Sequence, residues 1–283
     1  MNLPLAASLA LMALAPAISA AALPVLRHIP YKSGDALTAY ERERCQLDLY
    51  LPTNAAFATL VWFHGGGLTG GNKASEEKLG LMFAREGIAL AVPNYRLSPQ
   101  VKFPAYIEDA AAAVAWTQFH VAEHHGDPKK LFVGGHSAGG YLTAMLAMNP
   151  AYLRQVGTDP HDLAGLLPVS GQMMTHFTVR HERGLSTNSI TADDAAPIFF
   201  TRPDVPPMLI LMGDHDWPAR VEENQYFVAL QKVAGNHRIH FLQIPDRDHG
   251  SIAGRIPEPQ DPAGRAMLRF IQSNGNDRSE SRP

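Results

Sequence analysis

The chain has 283 residues, 46% of them hydrophobic, which is enough apolar surface for one large core. Its formal net charge is −3 and it contains no run of basic residues, so it has no electrostatic footprint for nucleic-acid binding. Cys45 is the single cysteine, which excludes an intrachain disulfide. We expect Cys45 to be a buried or unreactive thiol; an intermolecular bridge is the alternative.

The N-terminal segment differs from the rest of the chain. Residues 3–17 are apolar and rich in alanine, and small residues suited to cleavage continue to Ala22. This pattern predicts a secretory signal peptide over residues 1–22, although no Lys or Arg precedes the apolar stretch. An uncleaved anchor is the alternative, but the stretch is short for a membrane span. We therefore expect an exported protein, periplasmic or secreted from a bacterium, with no stable membrane span after cleavage.

The remainder, residues 23–272, reads as one domain followed by a polar tail. Apolar runs of strand length alternate with helical stretches, which predicts a mostly parallel sheet with helices on both faces, an α/β fold. We expect residues 273–283 to be flexible. The predicted strands are 59–63, 88–92, 131–134, 165–169, 208–212 and 239–244, and the predicted helices are 75–86, 107–123, 138–148, 222–234 and 262–272.

The first of these strands ends at His64-Gly65-Gly66-Gly67. Consecutive glycines let backbone N–H groups approach a substrate without obstruction by side chains, and such N–H groups stabilise the oxyanion of acyl transfer. Gly66 and Gly67 are therefore candidate oxyanion-hole donors. The alternative is an ordinary glycine-rich turn after a strand.

A histidine motif lies at the end of the second predicted helix. His120 and His124, with Glu123 between them, fit the H-x-x-E-H spacing of some zinc peptidases. The motif comes just before Gly126-Asp127-Pro128, where a solvated helix end explains it equally well. We predict no metal site here.

The most informative motif is Gly135-His136-Ser137-Ala138-Gly139. It follows the predicted strand 131–134 and opens the predicted helix 138–148, the setting in which G-x-S-x-G forms a sharp turn that exposes a nucleophile. Ser137 is the candidate nucleophile. The N–H of Ala138, the residue after it, is the third candidate oxyanion donor.

The segment 171–203 has the least regular pattern. Met173, Met174, His176 and Phe177 are candidate substrate-pocket residues, because methionine and aromatic side chains give adaptable apolar contacts. The alternative is a small cap-like insertion that packs on itself.

A catalytic acid is expected after the strand 208–212. Asp214 and Asp216 both follow Gly213. We favour Asp216, which lies three residues past the glycine, where the loop can turn toward a histidine. Asp214 is nearer the strand and is expected to brace the loop.

The base is expected last in the chain. His249 lies on a loop after the strand 239–244, beside Gly250. Its rivals are His237, in a turn, and His240, within the strand, and both are expected to be structural or exposed. The resulting order Ser137, Asp216, His249 differs from the orders of the chymotrypsin and subtilisin types.

With these motifs, the chain resembles the α/β-hydrolase superfamily, most closely its esterase branch around hormone-sensitive-lipase-like carboxylesterases, bacterial feruloyl-esterase-like proteins and arylformamidases. The resemblance covers about residues 46–271. It rests on Gln46–Pro52, His64–Gly67 with Gly70–Lys73, Asn94–Pro99 with Phe103–Ala105 and Glu108–Asp109, Gly135–Gly140, Gly213–Asp216 and Asp248–His249.

The resemblance and the motifs together predict a serine hydrolase that cleaves a small-molecule carboxylic ester and needs no cofactor. An arylformamidase or amidase using the same three residues is the alternative within enzymes. A catalytically silent binding module on the same fold is a further alternative. The sequence leaves the substrate and the oligomeric state open.

Overall fold

A computed structural model describes residues 22–280, with the side chains of residues 22–276. The predicted signal peptide, apart from Ala22, lies outside the described residues, so export stays a prediction. Within the described part of the chain, no helix is both long enough and apolar enough to span a bilayer.

The described chain forms an eight-stranded sheet in the order β1-β2-β4-β3-β5-β6-β7-β8. The pairs β1–β2 and β2–β4 are antiparallel, and the remaining neighbours are parallel. This confirms the mostly parallel sheet. The strands are β1 Val25–Pro30, β2 Gln46–Tyr50, β3 Phe57–Phe63, β4 Ala89–Pro93, β5 Gly126–His136, β6 Gly165–Val169, β7 Met208–His215 and β8 Ile239–Asp248.

Helices connect the strands and cover both faces of the sheet. The helices are α1 Ala39–Arg44, α2 Glu77–Arg85, α3 Ala105–His120, α4 Ala138–Met148, α5 Ala151–Gln155, α6 Phe177–Glu182, α7 Arg220–Val233, α8 Ser251–Gly254 and α9 Pro262–Glu280. Short 3-10 helices are at Lys73–Glu76, Val121–His124, Pro160–Asp162 and Pro197–Phe200. The predicted strands and helices did not include β1, β2, α1, α5, α6 and α8, which are short or lie at an edge. Strand β2 lies within Gln46–Pro52, one of the segments that carry the resemblance.

The core consists of two apolar layers, one on each side of the sheet. Alternate residues of β3 divide between them: Val61 and Phe63 pack in one layer, while Leu60 and Trp62 pack in the other. This alternation follows from the period of two in a strand. The first layer includes residues of α3, α4 and α7, and the second includes residues of α2 and α9.

Several predicted boundaries were wrong: strand β5 begins at Gly126 and not at residue 131, and strand β8 ends at Asp248 and not at residue 244. Helix α9 continues to Glu280, beyond its predicted end at residue 272, so it includes part of the segment expected to form a flexible tail. Strand β7 continues to His215, three residues beyond its predicted end, because β8 pairs with it over that length. Cys45 is buried as expected, and burial raises the pKa of its thiol to about 11.

Candidate active site

Ser137 lies in a sharp turn between β5 and α4. Its φ is 56° and its ψ is −113°, a strained conformation for a residue with a side chain. The flanking glycines allow this turn: a Cβ on Gly139 would lie 2.0 Å from the carbonyl oxygen of Phe63, and one on Gly135 would lie 2.6 Å from the carbonyl carbon of Gly139. The two glycines thus let the helix approach the strands closely.

The structure brings Ser137, His249 and Asp216 together. The Oγ of Ser137 lies 2.8 Å from Nε2 of His249, and Nδ1 of the same ring lies 2.7 Å from Oδ1 of Asp216. All three residues follow the carboxyl ends of parallel strands, where ligands bind in open α/β sheets.

Strand register explains this meeting. β7 and β8 pair His215 with Asp248, so Asp216 and His249 leave the sheet as neighbours. Separation along the chain is therefore irrelevant to their distance in space, because the sheet aligns the two strand ends.

Two residues that sequence reasoning missed support Asp216 and His249. Ser170 donates to Oδ2 of Asp216 at 2.5 Å. Trp217 stacks on the His249 ring with 3.6 Å between ring centroids, and its backbone N–H donates to Oδ1 of Asp216 at 2.7 Å. The position of Ser170 just past β6 was the available signal, because β5 and β6 pair His136 with Val169 and so place Ser170 beside Ser137.

These contacts keep Asp216 ionised. Burial alone would raise the pKa of its carboxyl, but the hydrogen bonds from His249 and Ser170 outweigh burial and lower the pKa below its ordinary value. An ionised Asp216 fixes the His249 ring with its Nδ1–H toward the carboxylate, which leaves Nε2 facing Ser137.

Gly66 and Gly67 directly follow Gly65, where a Cβ would lie 3.5 Å from the Cβ of Ser137. Both have positive φ, 118° and 62°, and a Cβ on Gly66 would lie 2.3 Å from the carbonyl oxygen of Gly70. Neither N–H donates a hydrogen bond to another residue in the part of the chain that the structure describes. Ala138 begins α4, so its N–H has no acceptor within the helix. These three N–H groups are available to a ligand.

Two other histidines border the site and are neutral at physiological pH. Nε2 of His136 lies 2.6 Å from the carbonyl oxygen of His249, and burial together with the nearby His249 lowers the pKa of His136 to about 4. His64 stacks on Tyr95, and burial lowers its pKa to about 4 as well. His136 thus holds the backbone of His249 without carrying a charge.

The rival residues lie elsewhere. Oδ1 of Asp214 accepts from the N–H of Arg247 at 3.1 Å, which lowers the pKa of Asp214 and matches the bracing role expected for it. His237 and His240 are exposed. His120 packs on Trp116, and the described side chains of residues 22–276 contain no group of three or more His, Cys, Asp or Glu placed to hold a metal ion.

A cavity of about 740 Å³ adjoins Trp217. Of the four predicted pocket residues, Met174 and Phe177 line it, whereas Met173 and His176 do not. Met173 is fully buried in the core, and His176 is buried as the N-cap of α6, where its Nδ1 accepts from the N–H of Thr178. This segment therefore both lines a cavity and packs on itself.

Comparison with known proteins gives consistent matches. The BD-FAE family model matches residues 47–159. Carboxylesterase NlhH of Mycobacterium tuberculosis is 36% identical over 230 residues, which cover 74% of this chain and 71% of that protein. The probable carboxylic ester hydrolase LipM of the same organism is 27% identical over 205 residues, which cover 65% of this chain and 47% of LipM.

The fold also matches a solved structure. A truncated form of a carbohydrate esterase from gut microbiota superposes with a TM-score of 0.73 at 20% identity, covering 89% of this chain and 96% of that one. At this identity the likeness shows the fold alone. The chain spans about half the length of several curated relatives it matches, including 47% of LipM.

Proposed function

We propose that this chain, which belongs to the α/β-hydrolase esterases of the hormone-sensitive-lipase-like and feruloyl-esterase type, hydrolyses a carboxylic ester through an acyl-enzyme on Ser137. The observation that carries the proposal is the hydrogen-bonded series from Ser137 Oγ through the His249 ring to Asp216. The esterase names of its relatives favour the same activity.

In the first half of the reaction, Ser137 Oγ bonds to the ester carbonyl carbon while its proton moves to His249 Nε2. The carbonyl π electrons move to the oxygen, and the resulting oxyanion accepts hydrogen bonds from the N–H groups of Gly66, Gly67 and Ala138. The N-terminal dipole of α4 favours the same negative charge. When the oxyanion collapses, the bond to the alcohol oxygen breaks and His249 protonates the leaving alcohol.

The second half repeats this chemistry with water. His249 takes a proton from the water as its oxygen bonds to the acyl carbon, and it then returns a proton to Ser137 Oγ as the acyl bond breaks. Ester and water are consumed, and acid and alcohol are released. Asp216 stays ionised throughout and stabilises the imidazolium form of His249.

The proposed setting is outside the cytoplasm. The apolar, alanine-rich residues 3–17 followed by small residues support export through a signal peptide ending near Ala22. Detection of the mature N-terminus by mass spectrometry of the secreted or periplasmic fraction tests this part of the proposal.

A substrate panel tests the reaction class. We expect faster turnover of short or long p-nitrophenyl esters or methyl ferulate than of N-formylkynurenine, and a fluorophosphonate adduct on the peptide that contains Ser137. The adduct is expected because such probes trap an activated serine. A preference for N-formylkynurenine would make the protein a formamidase, and an absence of both turnover and labelling would support a silent binding module.

The pH profile tests the base. We expect kcat/KM for a neutral ester to fall on acidification, because His249 accepts a proton only when neutral. His136 and His64, whose pKa values burial lowers to about 4, stay neutral above that pH. They therefore do not cause the expected fall in kcat/KM. Initial rates between about pH 5 and 8 measure it, and a flat profile would contradict a histidine base.

A further inference from the structure

The cavity beside Trp217 is in direct contact with the site of the proposed reaction. Trp217 lines it and stacks on the His249 ring. Phe177 lines it as well, and its Cζ would lie 3.0 Å from a Cβ on Gly67. A substrate group in this cavity would therefore lie next to both the base and the proposed oxyanion donors.

Two buried arginines form part of the cavity wall. Arg180 on α6 is 7% exposed and Arg220 at the start of α7 is 6% exposed. Burial lowers the pKa of both guanidinium groups, yet arginine stays charged in proteins. In the described part of the chain, neither has a carboxylate oxygen within 4.0 Å of its guanidinium nitrogens.

Most hydrogen-bond donors of these arginines are unused. Among the described residues, Arg180 donates only from Nη2, to the Thr187 carbonyl oxygen, and its buried Nε has no acceptor there. Within the part of the chain that the structure describes, Arg220 donates only from Nη1, to the Ser170 carbonyl oxygen at 3.3 Å. Its guanidinium lies 5.6 Å from the centre of the Trp217 ring. Leaving a buried guanidinium without an ion pair is unfavourable unless a ligand supplies the missing acceptors.

Two carboxylates also line the cavity, but neither neutralises the arginines by contact. Glu223 accepts from the N–H groups of Met173 and Met174, the latter at 2.7 Å, and burial raises its pKa. Glu222 is exposed and lies at the rim. Glu223 therefore acts on the two guanidinium groups only from beyond hydrogen-bond distance, and no carboxylate of the described residues contacts their donors. The two glutamates balance the formal charge of the two arginines. Recognition would depend on short contacts rather than on long-range attraction.

We infer that this cavity binds a carboxylate on the ester substrate, with Arg180 as the residue that selects for it. The inference rests on the proposed function and names its substrate class: an ester that carries a second, anionic group. Guanidinium groups match carboxylates in geometry and charge, and a charge-assisted hydrogen bond is about twice as strong as a neutral one. The carboxylate can lie on the acyl or on the alcohol side, and paired substrates separate these cases.

The test compares each carboxylate ester with its primary amide. Monoethyl adipate and its amide carry the group on the acyl side, and 4-carboxyphenyl butyrate and its amide carry it on the alcohol side. In one of the two pairs, we expect a kcat/KM about tenfold higher for the carboxylate than for the amide. The difference is expected to arise mainly from a lower KM for the carboxylate. The pair that shows the preference identifies the side.

Variants of Arg180 connect the preference to the cavity. We expect Arg180→Gln to lower kcat/KM for the preferred carboxylate at least about tenfold more than for its amide, and Arg180→Lys to retain part of the preference. Arg85→Gln removes the same charge from an exposed position at the end of α2 and serves as the matched control. Measurable but equal rates within both wild-type pairs, or a preference that survives Arg180→Gln, would overturn the inference.

Calorimetry separates this inference from the proposed function. Ser137→Ala protein is expected to bind at least one of the two carboxylate esters about tenfold more tightly than Ser137→Ala/Arg180→Gln protein does. Binding with that dependence but without hydrolysis by the wild type would refute the esterase and retain the anion site. Hydrolysis with no dependence on Arg180 would refute the anion site and retain the esterase.

Discussion

Ser137→Ala and His249→Ala are each expected to lose roughly 10⁴-fold to 10⁶-fold in kcat on a short p-nitrophenyl ester. Without Ser137 no acyl-enzyme forms, and without His249 nothing at 2.8 Å from the serine oxygen takes its proton. Because the two residues act in one proton transfer, the double variant is expected to be hardly slower than either single variant. Initial rates on purified proteins with matched circular dichroism spectra measure these losses.

Two matched controls accompany this experiment. Ser273→Ala changes an exposed serine on α9, and His240→Ala changes an exposed histidine on β8, the strand that leads to His249. Both are expected to retain wild-type kcat within about twofold, as surface substitutions usually perturb little. A large loss in His240→Ala combined with an active His249→Ala would transfer the role of base to His240.

The turn at Ser137 could be predicted because its requirements are local. A strand, two glycines and a helix in immediate succession leave few other conformations, and the structure places Ser137 at φ 56° between β5 and α4. The parallel sheet could be predicted for a related reason, since its buried strands are continuous apolar runs. The turn and each single strand are short local segments of the sequence, so their patterns could be recognised without knowing the register of the sheet.

Contacts that depend on register could not be predicted in this way. Ser170 reaches Asp216, and Arg180 and Arg220 reach one cavity, only because the sheet aligns the ends of β6 and β7 and the segment after β6 folds over them. Short elements such as α6 carry little periodicity, so the sequence did not indicate which of their side chains face the core and which face a cavity. Met173 and Met174 are adjacent in sequence, yet one is in the core and the other lines the cavity.

The choice between Asp214 and Asp216 as the acid depends partly on local sequence and partly on strand register. The sequence favoured Asp216 by its distance from Gly213, on the assumption that β7 ended before Gly213. The strand in fact continues to His215. The pairing of His215 with Asp248 supplies the physical reason for the same choice, because it makes Asp216 and His249 the first residues to leave the sheet.

Asp216→Asn is therefore expected to lower kcat roughly 10³-fold to 10⁴-fold, whereas Asp214→Asn is expected to lower it less than about threefold. An amide at position 216 keeps the shape but lacks the charge that stabilises imidazolium. Its NH₂ group replaces one carboxylate oxygen and only donates, so the side chain can no longer accept from both the His249 ring and Ser170. At position 214 the amide oxygen still accepts from the Arg247 N–H, and the side chain is 30% exposed.

The assignment of the acid is decided by steady-state kinetics of these two asparagine variants on one short-chain ester. Thermal unfolding verifies that both variants are folded. Both substitutions remove one negative charge within three residues of each other, so a general electrostatic effect on the histidine would lower both rates similarly. Only direct contact with Nδ1 of His249 predicts a large loss confined to Asp216→Asn, because that contact fixes the tautomer that presents Nε2 to Ser137. A larger loss in Asp214→Asn would show that the loop rearranges in solution and that Asp214 is the acid.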